Sequence, residues 1–341
     1  MFVVRPMLAA ALAIALVGCG RGAGTSSQPA PTATAALAPL GSLTLQATVG
    51  DFSGPAAVVA TSDAVWVLSH STATLVRIDP ATNTASTRIP LETGYANGLG
   101  LAGGRLWTFQ QSVGEVIGVD PATRTIVATV KMGQDGDLFW VGDDAAWLVS
   151  GGNLVRIDAT TSKTKTYPLD PSCEAAGGAA GGGFVWLADP GGGICKVDAQ
   201  TGAVVAHGTG AGRGNGMTLV GGTPWLASGD NGLSVIDPTD LTVATALAPP
   251  APGSFNGSTW SIGQAGGDST VVVGNADGKS GWLRFTGATI GRVSLTGTPG
   301  IRLFAGLPAD LLAGGVVEAF GSLWVTNFGA GTTERYELPT P

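Results

Sequence analysis

Val65-Trp66-Val67-Leu68-Ser69, followed by Leu75-Val76-Arg77-Ile78-Asp79-Pro80-Ala81-Thr82-Asn83, is the stretch on which the reading of this chain turns. It comprises a Trp in a short apolar run, a turn, a second aliphatic run ending in Asp, and another turn. The pattern returns at Leu106-Trp107 with Val116-Ile117-Gly118-Val119-Asp120, and at Ala146-Trp147-Leu148 with Leu154-Val155-Arg156-Ile157-Asp158. Val185-Trp186-Leu187 with Ile194-Cys195-Lys196-Val197-Asp198, and Pro224-Trp225-Leu226 with Leu233-Ser234-Val235-Ile236-Asp237, are two more copies. The spacings between these five Trp residues are 41, 40, 39 and 39. Val271-Val272-Val273-Gly274-Asn275 and Leu323-Trp324-Val325-Thr326-Asn327 align as two degraded copies, with Val272 in the place of the sixth Trp.

Runs of five to seven β-branched and aliphatic residues, punctuated by Gly, Asn and Asp, read as short strands. Ala57 to Thr61 supplies a first strand, the Trp run a second, the aliphatic-Asp run a third and Ala85 to Leu91 a fourth. Four strands in about 40 residues is the period of a β-propeller blade. The expected fold is therefore all-β, a seven-bladed β-propeller of four-stranded blades. The seventh unit has only three strands before Pro341, so residues 43–49 are expected to close it and to remove a free sheet edge. The repeated Trp residues read as packing between blades. The repeated Asp residues read as turn formers that accept backbone N–H groups two residues on.

The N-terminus is an address. Arg5 and the apolar run Met7 to Val17 form a segment too short to span a bilayer and of the length of a signal peptide's apolar region. It leads into Leu16-Val17-Gly18-Cys19, which resembles the bacterial lipoprotein box. The resemblance implies cleavage before Cys19, lipidation of its thiol, and anchoring to the membrane on the extracytoplasmic side of the bacterial cell envelope. Residues 1–18 are then the signal peptide, 19–40 the lipidated Cys and a Gly-, Ser-, Thr-, Ala- and Pro-rich tether, and 41–341 the propeller.

The chain has 17 Lys and Arg against 24 Asp and Glu, a net charge of −7, which excludes the basic footprint of a nucleic-acid binder. Its 55 Gly sit beside apolar runs and read as turn punctuation. Two His and three Cys are too few for a His- or Cys-built zinc centre. In an oxidising compartment Cys173 and Cys195 are expected to form a disulfide; two free thiols are the alternative.

The blades resemble the extracytoplasmic YVTN and virginiamycin B lyase-like propellers, with Trp324-Val325-Thr326-Asn327 and Ile78-Asp79-Pro80-Ala81-Thr82 as the best matches. Those motifs belong to blade architecture and specify fold more than function. The resemblance also implies an alternative activity, a lyase or hydrolase like the streptogramin lyases with a metal-assisted site in the channel. Such a site needs paired His beside Glu, whereas this chain offers His70 and His207, neither with a neighbouring Glu. No nucleophile elbow or phosphate loop occurs. The reading adopted is a binding module without a catalytic signature, taking a protein or small-molecule partner. No cofactor follows from the sequence.

Propellers bind through the loops joining strands two and three and through the loops between blades. Here Ala248 to Gly257 and, longest, Thr296 to Gly315 stand out among the inter-blade loops. The candidate binding face comprises His70, Tyr95, Asn97, Asp135, Asp137, Arg213, Phe255, Asn256, Arg302, Phe304 and Asn327, with Gln110, Phe52 and Phe328 as further candidates. Asp135-Gly136-Asp137 has oxygen ligands suited to Ca²⁺, but a solvated turn explains the pair as well, and no metal site is assigned.

Overall fold

The computed structural model describes residues 38–341 apart from 92–93, 133–135, 190, 211–213, 229–231, 248–271, 275–279, 285–289, 296–298, 309–310, 312 and 339–341. Seven antiparallel sheets follow one another along the chain. Blade one runs through Pro55–Ala60, Val65–Ser69, Thr74–Asp79 and Thr84–Pro90, and its four strands hydrogen-bond in that order. Blades two to five repeat this meander. The first strands lie innermost, those of blades one to six side by side in succession and that of blade seven beside that of blade one, so these strands line an axial channel.

Every blade pair is sealed by one Trp from a second strand. Trp66 fills the seam of blades one and two, Trp107 that of two and three, and Trp147 that of three and four. Trp186, Trp225, Trp282 and Trp324 fill the remaining seams in turn, and the last joins blade seven to blade one. All seven rings are at most 2% exposed. The Trp reading as interblade packing thus holds in every blade. Burial of a ring this size contributes several kcal/mol at ~25 cal/mol per Å² of apolar surface.

Blade six departs from the expected alignment. Its Trp is Trp282, on the second strand Ser280–Arg284, while Val272–Gly274 is the inner first strand. Val272 is therefore not the sixth Trp equivalent. The continuous Val271-Val272-Val273 run imitated a Trp strand because both are uniformly apolar. Thr296 to Gly315 is likewise not one long loop, because it contains the fourth strand of blade six, Gly300–Ala305. The extra length lies between blades five and six, around residues 248–271, outside the described residues.

Closure occurs as expected. Leu45–Val49 pairs antiparallel with Thr332–Glu337 and supplies the fourth strand of blade seven. The segment just before it adds something not anticipated. Ala38–Ser42 pairs parallel with Gly300–Ala305 as a fifth strand on blade six, so the tether read over residues 19–40 gives way to sheet at Ala38. Leu43, between the two edge strands, is buried with Trp282, Phe304 and Tyr336. One continuous segment thus covers the outer edges of two adjacent blades, which would otherwise present unpaired backbone groups.

The repeated Asp residues close the turns between strands three and four. Oδ1 of Asp79 accepts N–H of Ala81 at 2.8 Å, and Asp120 does the same for Ala122 at 2.8 Å. Asp158 accepts N–H of Thr161 at 2.8 Å, Asp198 that of Thr201 at 2.7 Å, and Asp237 that of Thr239 at 2.7 Å. These bonds favour the ionised form and hold the carboxyls of Asp120, Asp158 and Asp198 below the usual carboxylate range. A group with a depressed folded pKa contributes stability above its unfolded value of about 3.9, and that contribution is lost as pH falls through the folded value. Denaturant midpoints should therefore drop below about pH 4. Asp158→Asn, whose amide keeps an acceptor but does not titrate, should show a shallower drop in the same acid titration.

Candidate functional site

In a meander, the turns between strands two and three share one end of the blade with the blade-to-blade connections. At blades seven, one and two these loops are knitted together. Ser69, at the end of the second strand of blade one, accepts N–H of Ser53 at 2.8 Å and donates to the Ser53 carbonyl at 3.1 Å. His70 donates its backbone N–H to Gly54 at 2.9 Å, and a single 3-10 turn, His70–Thr72, carries the chain over. Gly54 has φ +63°, and a Cβ there would meet the Phe328 ring at 2.7 Å, so only Gly lets the ring lie on this loop.

The result is an aromatic group built from three blades. The His70 ring stacks on Tyr95 with centroids 5.2 Å apart, and the Phe328 ring centroid lies 5.8 Å from that of His70, tilted by 53°. His70 Nδ1 lies 2.9 Å from the carbonyl oxygen of Ala96. A carbonyl only accepts, so Nδ1 carries the proton, and the neutral tautomer with this bond has Nε2 as its acceptor. Tyr95 donates its backbone N–H to Ser112 Oγ at 3.0 Å, which ties it to the adjoining loop of blade two. Tyr95 is 56% exposed, and Val113 in that loop is 40% exposed.

Beside this group lies a buried polar layer. Ala96, which receives the His70 bond, pairs across the sheet with Gln110. Gln110 is fully buried, and neither Oε1 nor Nε2 has a hydrogen-bond partner among the described residues. A buried amide without partners costs roughly 1–3 kcal/mol, which water or a bound group can recover. Asn97 donates to Gln111 Oε1 at 2.7 Å, and its own Oδ1 is unpartnered.

Of the candidate face, then, the structure brings together His70, Tyr95, Asn97, Gln110 and Phe328. Asn327 is buried and accepts N–H of Ala330 at 3.1 Å, so it shapes the turn beneath Phe328. Phe52 is buried in the seam of blades seven and one. Arg302 and Phe304 do not belong to the face. They lie on the fourth strand of blade six, where Phe304 is buried 6.1 Å from Trp282 and the Arg302 guanidinium sits 5.2 Å from the Phe304 ring. The alternation Ile301-Arg302-Leu303-Phe304, read as loop, is strand alternation. Asp135, Arg213, Phe255 and Asn256 lie outside the described residues, as does the side chain of Asp137.

The channel is a separate feature, with a cavity of about 330 Å³ against the inner strands of blades two to five. Gly98, Gly100, Phe139, Trp140, Gly178 and Met217 lie in its wall, and among the described residues none that lines it is ionisable. His70 belongs to blade one and His207 to the fourth strand of blade four, so the two histidines do not form a pair.

Cys173 and Cys195 are joined by a disulfide with Cα atoms 5.8 Å apart. Cys173 precedes blade four, and Cys195 lies in its third strand, Gly193–Asp198. His207, weighed from the sequence only as one of a pair with His70, has its ring beside the bridge. Its position opposite Cys195 follows only from strand register.

No family model matches the chain, and no curated protein matches it. Solved structures do. A selenomethionine-substituted virginiamycin B lyase from Staphylococcus aureus superposes with a TM-score of 0.68 at 16% identity, over 87% of this chain and 100% of that one. A catalytically inactive variant of that lyase with quinupristin gives 0.67 at 14% identity, over the same shares. BamB from Moraxella catarrhalis gives 0.58 at 14% identity, over 87% of this chain and 100% of its own. What these proteins share with this chain is the β-propeller fold, here closed by an N-terminal strand.

Proposed function

We propose that this chain is a membrane-tethered extracytoplasmic binding module, and that its working surface is the face carrying Phe328, His70, Tyr95 and Val113. The carrying observation is the stacked and exposed Tyr95, fixed by His70 and by the Ser112 bond over a buried polar layer. A rigid, amphipathic ring held in place by its neighbours has the character of an interface hot spot, since little side-chain entropy is lost on contact. The occupant that fits is a protein segment presenting an apolar side chain beside a hydrogen-bond donor, the donor meeting the bare His70 Nε2.

A photoreactive amino acid placed at Tyr95 in the cell should yield a discrete adduct with an envelope protein. The same probe at Phe320, in a turn at the opposite end of blade seven, should not. Equal adducts from both sites, or none from Tyr95, would remove the face from consideration. The tether is tested apart from the face. Cys19→Ser should abolish incorporation of labelled fatty acid and move the protein from the membrane fraction to the soluble fraction, because loss of the acyl chains removes the anchor. Unchanged fractionation would refute lipid anchoring.

A further inference from the structure

The disulfide of blade four has a partner that no packing role requires. Cys195 and His207 are directly opposite on neighbouring strands, and His207 Nδ1 lies 3.3 Å from Cys195 Sγ. Both sulfurs and this nitrogen fall within 4.8 Å of one another. His207 Nε2 is 3.4 Å from Ser172 Oγ, and the Ser172 hydroxyl donates to Asp170 Oδ1 at 2.6 Å. That donation uses the only hydroxyl proton, so Ser172 must accept from Nε2–H. The tautomer is thereby set, with the bare Nδ1 lone pair facing the two sulfurs. A disulfide offers this lone pair no proton. A metal-binding imidazole has the same arrangement, one nitrogen oriented by an outer hydrogen bond and the other free to ligate.

We propose that Cys173, Cys195 and His207 form a thiol-gated site for cuprous copper, closed as the disulfide and open once it is reduced. Reduction needs a dithiol: one of its thiolates attacks the bridge, the S–S bond breaks, and the dithiol leaves as its own disulfide. Cys173 and Cys195 gain two electrons and two protons. Cuprous ion then displaces both protons and binds two thiolates and Nδ1. Soft sulfur ligands select Cu(I) or zinc, and a set of three suits Cu(I), whereas structural zinc takes four. The cysteines are buried beside Tyr167, Val185 and Leu187, while His207 is exposed, so the ion enters past the imidazole into a sheltered seat.

The test uses full-length protein carrying Cys19→Ser, so that the bridge supplies the only thiols. After dithiothreitol and anaerobic desalting, cuprous ion is titrated against the chromophoric chelator bicinchoninate. One equivalent should bind after reduction and none before, with two reactive thiols falling to none. His207→Ala should keep the disulfide and weaken cuprous binding by more than the roughly 10–100-fold that loss of an outer-shell partner costs. The proposal fails if reduced protein takes no copper, if His207→Ala binds equally well, or if zinc is held in preference. Circular dichroism showing that the reduced chain has unfolded would overturn it too, because the seat would then not exist.

Discussion

Trp324→Ala is expected to lower the free energy of unfolding by about 3–5 kcal/mol, the range for emptying a buried aromatic site. Trp324 is fully buried where the last blade meets the first, against Val49, Val58, Val65 and Val67. Its Nε1 donates to the Ala319 carbonyl at 3.3 Å, and the Arg335 guanidinium lies 5.2 Å from the ring. The valines come from blade one and the closing strand, held in fixed sheets, so the cavity cannot collapse freely. That places the loss toward the upper end of the range. Arg335 also donates to the Pro80 carbonyl at 2.7 Å and to Asn83 Oδ1 at 2.9 Å, so the seam has a second fastening beyond the ring. Urea unfolding followed by circular dichroism gives the number, with Tyr95→Ala as an exposed aromatic control expected to change stability by less than about 0.5 kcal/mol. A Trp324→Ala loss below about 1 kcal/mol would mean that this ring does not hold the circle shut.

The second large effect concerns a residue with no side chain. Gly315 lies on the inner strand of blade seven, Ala313–Ala319, against blade one. A Cβ there would lie 2.6 Å from the Val58 backbone nitrogen and 3.0 Å from Val58 Cγ1. The obstacle includes backbone of a sheet hydrogen-bonded on its other side, so it cannot turn away as a flexible side chain would. Gly315→Ala is therefore expected to cost about 3 kcal/mol, the upper end for overpacking, although Ala is ordinarily the more favourable residue in a strand. Gly50→Ala is the matched control, because a Cβ at Gly50 meets nothing within 4 Å. The same denaturation experiment should find that variant within about 0.5 kcal/mol of the parent.

This second case shows where the composition was misread. Much of the glycine was taken as punctuation for turns, and some of it is: Gly54 sits at φ +63°. Gly100, Gly142, Gly178 and Gly315, however, lie in inner strands, where an added Cβ would run into Val141, Ala180, Trp140 and Val58 of a neighbouring blade. Blades converge toward an axis, and near it there is no room for side chains on both of two facing strands. No local rule expresses that crowding, because it arises only when seven sheets share one centre.

Fold class, blade count, the role of the repeated Trp and Asp, and closure by an N-terminal strand were all legible in the linear sequence. Each depends on a short-range pattern repeated at a fixed interval: alternation makes a strand, Asp makes a turn, and a three-strand last unit needs a fourth. Blade six was misaligned because a run of three valines carries no signal for inner or second strand, and the Trp that decides it lies 57 residues beyond Trp225. The candidate face was legible only in part. His70 and Tyr95 were found as polar and aromatic residues in turns, but their stacking with Phe328 depends on blade seven lying beside blade one. His207 was considered only as a partner for His70, and its place at the disulfide could not be found, since strand register alone brings it there. The sequence by itself determined the unit and how often it repeats, because those are properties of neighbouring residues. Only the tertiary structure decided which residues from distant units meet, because closing the ring sets those contacts through space.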